Sequence, residues 1–466
     1  MTTIISITLS FVLAITFFVQ IFLQNCLVLA SPILGQNREA LEIIIGGGGE
    51  NSPPPPPPPP PDNQDCPPPP PSPEPPCPPP PSPPPYLFES KRIEIAYNVI
   101  QKFKAKIKYD PLGIKNTWVG YDVCNKYKGF HCAIVPNYKV QALAAVDFNQ
   151  FNFAGPDLTL NDFLDELPDI TIFHANSNKF TGTIPKKIAN LRYLYELDLS
   201  NNNYNGEFPY NILGAKNLTF LDLRFNTFSG LVPPQVFMLN LDVLFINNNN
   251  LMQKLPDNLG STPVLYLTLA NNKFVGSIPR SIGQACKTLL EVLFLNNQLT
   301  GCLPYEIGLL TKARIFDVSK NKLTGKIPHS FGCLAKMQIL NLAQNQFYGP
   351  VPELVCKLSN LKNLSLSYNY FTEVGSECKK LIERKVLDVR MNCIPGLPMQ
   401  RSAAECAAFF CKPRSCPDEK SLEIVPCRIG NFEQTNQLDS STSSVSASND
   451  PAPAPGTYGA LKPHSL

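Results

Sequence analysis

The sequence predicts an α/β solenoid, in which stacked copies of one short unit share a curved parallel β-sheet on the concave face. One pattern, L-x-x-L-x-L-x-x-N-x-L-x-G-x-I-P, recurs along residues 143–395. Its copies begin at Leu143, Ile170, Leu194, Leu218, Leu241, Val264, Leu289, Ala313, Met337, Leu361 and Arg384. The asparagine of the pattern recurs every 23 to 25 residues, at Asn178, Asn202, Asn226, Asn249, Asn272, Asn297, Asn321, Asn345, Asn369 and Asn392. This spacing predicts about eleven leucine-rich repeats of the plant type.

Each part of the unit has a physical reason. The alternating leucines predict a short strand with one buried face, which is stable only when neighbouring units stack against it. We expect the buried asparagine to bond to backbone groups of the adjacent coil. Two copies depart from the pattern. Phe151 replaces the asparagine in the first copy, and Gln253 replaces the glycine in the Leu241 copy, where the return path is expected to differ.

Composition and motifs argue against several classes of protein. The net charge of the 466 residues is only +3, which does not favour nucleic-acid binding. The sequence holds no Ser/His/Asp motif, no H-E-x-x-H motif and no phosphate-binding glycine loop in a strand-to-helix context. We therefore expect no enzyme, no cofactor, no metal site and no nucleic-acid partner.

Residues 1–30 have the composition of a secretory signal peptide, because a nearly continuous apolar run precedes the small residues around Ala30. The alternative is an uncleaved anchor, since about 20 apolar residues can span a bilayer. No later segment is apolar enough to span a membrane. Cleavage therefore predicts a secreted protein without a transmembrane segment.

Proline dominates the next region, residues 31–85. Of the 49 prolines, 24 lie between Pro53 and Pro85, after a run of four glycines. Such a tract forms polyproline II and predicts a stiff spacer that reaches roughly 100 Å. At the other end, residues 431–466 are poor in large apolar side chains and are expected to be disordered.

Caps are expected on both ends of the repeats. In residues 86–142, apolar side chains recur at helical spacing over 89–108, which predicts an amphipathic helix that covers the first coil. In residues 396–430, clustered cysteines predict a C-terminal cap held by disulfides.

Fourteen of the fifteen cysteines follow the signal peptide, and an even number in a secreted chain favours disulfides. Those predicted to be bonded are Cys124, Cys132, Cys286, Cys302, Cys333, Cys356, Cys378, Cys393, Cys406, Cys411, Cys416 and Cys427. Near-equivalent places in adjacent repeats predict that Cys333 pairs with Cys356. Cys286 is expected to pair with Cys302. Asn217 and Asn363 begin glycosylation triplets.

The repeat geometry also predicts which side chains face outward from the concave sheet, namely those at the third, fifth, seventh and eighth places of each unit. An apolar, aromatic band would comprise Phe220, Phe225, Val243, Phe245, Tyr266, Leu293 and Leu295, and carboxylates would flank it at Glu196, Asp198, Asp222, Glu291 and Asp317. A solvent-exposed band of this kind indicates a partner site, and its acidic border would steer a basic partner. The alternative is that side chains such as Val243 and Leu293 are half-buried strand residues without a ligand.

With its repeats, caps, cysteine cluster and proline tract, the chain resembles the plant leucine-rich repeat extensins. The resemblance covers about residues 86–427, and its most specific passages are residues 296–308 and 386–397. The resemblance implies a Cys124–Cys132 disulfide, cell-wall localisation, homodimers through the cysteine-rich tail, and repeats that bind basic, cysteine-rich signalling peptides of the rapid alkalinisation type. It also makes wall polysaccharide a candidate partner of the proline tract. This chain departs from the family pattern, because its proline tract is N-terminal and short.

The leading hypothesis is therefore a secreted cell-wall protein that binds a protein or peptide ligand on its concave face, with a role in wall organisation or signalling. Similar repeat proteins include polygalacturonase inhibitors, so inhibition of secreted wall-degrading enzymes is the first alternative. A structural wall glycoprotein is the second.

Overall fold

The computed structural model describes residues 87–427 except Pro136. The predicted signal peptide (1–30), the proline-rich spacer (31–85) and the predicted disordered tail (431–466) lie outside the described residues. Within them, no helix is long and apolar enough to cross a membrane.

The repeats form a leucine-rich repeat solenoid around one long sheet, as predicted. Its strands, in spatial order, are β1 (Phe130–Val135), β2 (Val140–Asp147), β3 (Ile172–His174), β4 (Glu196–Asp198), β6 (Phe220–Asp222), β8 (Val243–Phe245), β10 (Tyr266–Thr268), β12 (Glu291–Leu293), β14 (Ile315–Asp317), β16 (Ile339–Asn341), β18 (Asn363–Ser365) and β20 (Leu387–Asp388). Strands β1 and β2 are antiparallel, and every later pair is parallel. The middle residue of each short strand, such as Leu197 or Leu221, points into the core and is fully buried.

The recurring asparagines bond to backbone groups of the adjacent coil, as predicted, and together they form a column that is here called the asparagine ladder. The side-chain amide of Asn202 donates to the carbonyl of Ala175 in the preceding repeat and to the carbonyls of Leu199 and Ser200 in its own turn. Its Oδ1 accepts from the N–H of Phe180, at 3.0 Å. Asn321 and Asn392 repeat the arrangement. The ladder therefore satisfies backbone groups that no regular helix or sheet covers.

A second row of short parallel strands lies just after the ladder asparagine of each repeat. This row is interrupted at the repeat that begins at Leu241. One sheet holds β5 (Asn205–Glu207), β7 (Thr227–Gly230) and β9 (Asn250–Leu251), and another holds β11 (Val275–Gly276), β13 (Gln298–Cys302), β15 (Lys322–Gly325), β17 (Gln346–Val351) and β19 (Tyr370–Val374). The interruption falls at Gln253, whose side chain bonds to both the N–H and the carbonyl of Val232, at 2.9 Å each. The return path differs at this repeat, as the loss of the glycine predicts.

Short helices complete most repeats. The 3-10 turns of the repeats are Lys186–Asn190, Tyr210–Gly214, Pro234–Met238, Leu259–Ser261, Arg280–Lys287, Tyr305–Leu309 and His329–Cys333, and others span Ile114–Thr117, Leu164–Glu166 and Glu419–Glu423. The α-helices after the N-terminal region are α3 (Glu353–Cys356), α4 (Ser376–Glu383) and α5 (Ala403–Phe410).

The N-terminal cap is built on α1 (Lys91–Lys104), which is shorter than predicted and starts at the Ser90 cap. Its Phe103 is fully buried and stacks on Phe163, with the ring centroids 3.7 Å apart. A second short helix, α2 (Val123–Lys126), carries Cys124, which is bonded to Cys132 as the resemblance implies.

The other disulfides differ from the predicted pairs. Cys333 is bonded to Cys427, and Cys356 to Cys378, so the predicted Cys333–Cys356 pair is wrong. The predicted Cys286–Cys302 pair is also wrong, because Cys302 is bonded to Cys416. A fifth bond joins Cys393 to Cys406, whereas Cys286 and Cys411, both predicted to be bonded, are free.

The bonds of Cys302 and Cys333 have one cause, which is the path of residues 411–427. This C-terminal strap turns back from the last repeat and lies along earlier ones. The Tyr348 hydroxyl donates to the carbonyl of Arg414, and Arg280 pairs with Asp418 at 3.4 Å. Strap cysteines therefore meet partners that sequence register between neighbouring repeats does not reveal.

Candidate functional site

The candidate site is the face of the twelve-stranded sheet opposite the core, here called the concave face. Because side chains alternate along a strand, the third and fifth residues of each unit both lie on it. The strand register places Glu196, Phe220, Val243, Tyr266 and Glu291 in one column and Asp198, Asp222, Phe245, Leu293 and Asp317 in the next. The structure thus brings ten of the predicted residues together in these two columns. Phe225 lies in the turn after β6, with φ of 52°.

Most acidic side chains of the second column have a structural role, because they accept hydrogen bonds from the backbone of the turn that follows the strand. The Oδ1 atoms of Asp198, Asp222 and Asp317 each accept a hydrogen bond from the backbone N–H two residues later, at 2.9, 3.0 and 2.8 Å. Asn341 makes the same bond. Such local bonds stabilise the turn that ends each strand. The recurrence of Asp or Asn at this place is the sequence signal for this role, which was not among the predictions.

The prediction of a solvent-exposed band with an acidic border is wrong for several residues. Asp222 and Leu293 are 0 % exposed, Phe245 is 5 % exposed and Glu291 is 8 % exposed. Asp198 and Asp317 are also buried. Neighbouring strands are about 4.8 Å apart, so adjacent side chains shield one another, and the capping acids bend toward the backbone. The predicted residues that remain half-buried are Glu196, Phe220, Phe225, Val243, Tyr266 and Leu295.

Charged groups cluster in the N-terminal half of this face. Arg224 Nε lies 2.9 Å from Asp222 Oδ2, and the same guanidinium lies over the Phe245 ring, 5.2 Å from its centroid. Burial raises the pKa of Asp222 to about 7, against the opposing charge of Arg224. His174 Nε2 lies 2.9 Å from Glu196 Oε2. Neither Arg224 nor His174 was among the predicted ligand-binding residues.

The pKa of His174 reflects two opposing effects. Burial of the ring lowers it, whereas the hydrogen bond to Glu196 and the charge of Asp198 raise it, and the net direction is upward.

An apolar cluster occupies the middle of the same face. Ala270, Leu293 and Ile315 are buried and form a group separate from the main core, with Leu295 and Ile339 partly buried against it. Glu291, on the same strand as Leu293, borders the cluster, and burial raises its pKa to about 7. Of this group, Leu293, Leu295 and Glu291 belong to the predicted band and its acidic border.

Other predicted features are placed as follows. Among residues 87–427 apart from Pro136, no group of three or more His, Cys, Asp or Glu side chains is positioned to hold a metal ion. Asn217 and Asn363 are exposed, and Asn363 lies on β18 of the concave sheet. Their glycosylation stays a prediction.

Comparisons with known proteins agree with this architecture. The family model described as Leucine Rich Repeat matches residues 217–239 and 312–334. Leucine-rich repeat extensin-like protein 6 of Arabidopsis thaliana is 54% identical over 327 residues, which are 70% of this chain and 68% of that protein. Leucine-rich repeat extensin-like protein 4 of the same plant is 50% identical over 328 residues, which are 70% of this chain and 65% of that protein. The fold is also shared with a solved plant ice-binding protein, at a TM-score of 0.56 and 23% identity, over 67% of this chain and 98% of the other.

Proposed function

Since the chain belongs to the leucine-rich repeat extensin-like family, we propose that it is a secreted cell-wall protein whose concave face binds a protein or peptide ligand. The acidic side chains on this face support a basic ligand, and the resemblance to the family makes a small, cysteine-rich signalling peptide the candidate. The protein would act in wall organisation or signalling, by binding and without catalysis.

The observation that carries this proposal is the combination of carboxylates and apolar side chains on one face. Glu196 and Glu291 differ from the capping acids, because their side chains do not close the strand-end turns. Glu291 forms no ion pair with any described residue, and it lies beside the apolar cluster around Leu293. A basic ligand would restore a charge partner to this carboxylate, and its apolar side chains would cover the cluster.

The register also predicts the spacing of the ligand. Glu196 on β4 and Glu291 on β12 lie in the same column and are separated by four strand steps, which correspond to roughly 19 Å. An extended peptide covers this distance in about six residues. We therefore expect a ligand that crosses the strands, with two cationic residues about six positions apart.

The experiment is a titration of the secreted full chain with a panel of basic, cysteine-rich plant peptides at low and high salt. The proposal predicts submicromolar binding that weakens as salt screens the carboxylates. Absence of binding by every peptide, with the protein folded, would overturn it. A parallel polygalacturonase assay separates the first alternative, because an inhibitor would lower that activity on mixing.

A further inference from the structure

A row of exposed basic side chains runs along the edge of the repeats at which the chain enters the concave sheet. Each of the strands β12, β14, β16, β18 and β20 is preceded by at least one of them. None of them forms an ion pair with any described residue. This row, here called the basic edge, comprises Lys287, Lys312, Arg314, Lys336, Lys362 and Lys385.

The stacking of the coils repeats these cations at the spacing of the sheet. Lys312 and Lys336 each lie three residues before the first residue of β14 and β16, and Arg314 and Lys362 lie immediately before β14 and β18. The N–H of Gln338 donates to the carbonyl of Arg314, and the N–H of Lys362 donates to the carbonyl of Gln338, both at 2.8 Å. Four strand steps of about 4.8 Å separate β12 from β20, so the basic edge extends over roughly 19 Å.

Almost no acidic side chain offsets this charge along the same edge. Segments 284–290, 309–314, 333–338 and 357–362 contain no Asp or Glu, and Glu383 precedes β20. The charged residues in the equivalent segments before β4, β6 and β8 are Arg192, Lys216 and Asp242. Like charges on neighbouring coils repel one another and are destabilising. Such a row without internal partners indicates a surface that binds an anion spanning several repeats.

The side chains between the cations indicate the class of polyanion. The four segments contain no Phe, Tyr or Trp, so they lack the stacking platforms with which proteins bind single-stranded nucleic acids. They also expose no large apolar side chain of the kind that inserts into a membrane surface. Instead, Thr311, Gln338 and Ser359 place neutral hydrogen-bonding groups beside the cations. A linear polysaccharide with one carboxylate on each sugar has the matching pattern, because hydroxyl groups separate its regularly spaced anions.

We propose that the basic edge binds an acidic wall polysaccharide of the polyuronate class, with the polymer chain crossing successive repeats. The choice of a wall polymer rests on the secreted location in the proposed function. The site itself lies apart from the ligand-binding residues of the concave face and requires no peptide ligand. A polymer bound there would hold the repeats in the wall and leave the concave face open.

The test uses polygalacturonate as the probe, titrated into the secreted full chain at low and high salt. Fully methyl-esterified polygalacturonate is the control polymer, since it has the same backbone without the charge. We expect micromolar binding of polygalacturonate that weakens with salt, and at least tenfold weaker binding of the ester.

Two charge-reversal variants localise the contact. Lys336→Glu/Lys362→Glu should bind polygalacturonate at least tenfold more weakly than wild type. The matched control is Lys179→Glu/Lys273→Glu, which changes two exposed lysines in the turns after β3 and β10 and should stay within about twofold of wild type. Both variants should keep the wild-type unfolding midpoint, because these lysines are exposed and form no ion pair with a described residue.

Equal losses in the two variants, or equal affinity for the ester, would overturn the inference. Binding that neither variant changes would also overturn it, since the polymer would then lie elsewhere, such as on the proline tract. Tighter binding of single-stranded DNA would overturn the choice of polymer. Low-salt self-association that Lys336→Glu/Lys362→Glu abolishes would instead identify a second copy as the occupant and overturn the proposal. Failure here with successful binding of a panel peptide leaves the proposed function standing, and the reverse result removes only its peptide ligand.

Discussion

Arg224 packs on Asp222, with Nε 2.9 Å from Oδ2, and both side chains are buried on the outer face of a single sheet. The last repeat contains the same pair in an exposed setting, where Arg390 Nη2 lies 2.8 Å from Asp388 Oδ2. The two pairs share their spacing along the chain and differ in burial.

Arg224→Ala should therefore destabilise the protein, because it leaves Asp222 buried without this cation. We expect a loss of about 2–4 kcal/mol above pH 7 in urea unfolding. The loss should shrink below pH 7, since the pKa of Asp222 is already near 7 and a protonated carboxyl needs no cation. Arg390→Ala should cause no measurable loss. Equal effects of the two substitutions would contradict the role of burial.

Gly325 cannot accept a side chain, for two reasons. Its φ is +92°, and an added Cβ would meet the Cys416 sulfur and approach the Cys302 sulfur to 2.9 Å. Gly206 has a similar φ of +85°, but the nearest atom to its Cβ would be 3.9 Å away. Gly206→Ala should cost about 1 kcal/mol for the left-handed backbone, and Gly325→Ala should cost about 1–3 kcal/mol more because of the overlap. Equal unfolding midpoints for the two variants would show that the strap disulfide does not constrain this turn.

The asparagine ladder predicts a large effect of a small substitution. Asn321 donates to the carbonyls of Phe294, Val318 and Ser319 and accepts from the N–H of Leu299. Asn321→Ala leaves these buried groups unsatisfied and should cost about 3 kcal/mol in urea unfolding. The control is Asn360→Ala, at an exposed residue with one bond, to the carbonyl of Ala335, and it should change stability by less than about 0.5 kcal/mol. Comparable losses would refute the ladder as a main source of stability.

The buried carboxyl of Glu291 should make stability depend on pH. Its folded-state pKa of about 7 lies above the unfolded value, so the folded state retains a proton that the unfolded state releases. Wild-type stability should therefore fall as pH rises from about 4.5 to about 7 and then level off. Glu291→Gln removes this loss and should be more stable than wild type at about pH 8, by up to about 3 kcal/mol, and equal to it near pH 4. Thermal unfolding at these pH values checks the prediction, and a difference that does not change with pH would contradict it.

Sequence patterns predict the parts of this structure that depend on neighbouring repeats, and they do not predict the contacts between distant parts of the chain. The repeat spacing predicts the strands, the ladder and the change at Gln253, because each depends on contacts between neighbouring units. The disulfides of Cys302 and Cys333 depend on partners 114 and 94 residues away, brought close by the strap, and no local pattern encodes that path. On the concave face, the pattern predicts which side chains point outward, but it does not predict how far Asp222 bends toward backbone amides.

Binding on the concave face is the central claim, and a charge-matched pair of double variants tests it most directly. Glu196→Gln/Glu291→Gln removes two carboxylates from the concave face, whereas Glu373→Gln/Glu383→Gln removes two exposed carboxylates on β19 and α4. Each is titrated with the peptide that binds the wild-type chain best, at one salt concentration. The account predicts that the first variant loses at least tenfold in affinity and that the second stays within about twofold of wild type. Equal losses in both, or an unchanged affinity of the first, would show that the ligand does not bind this face.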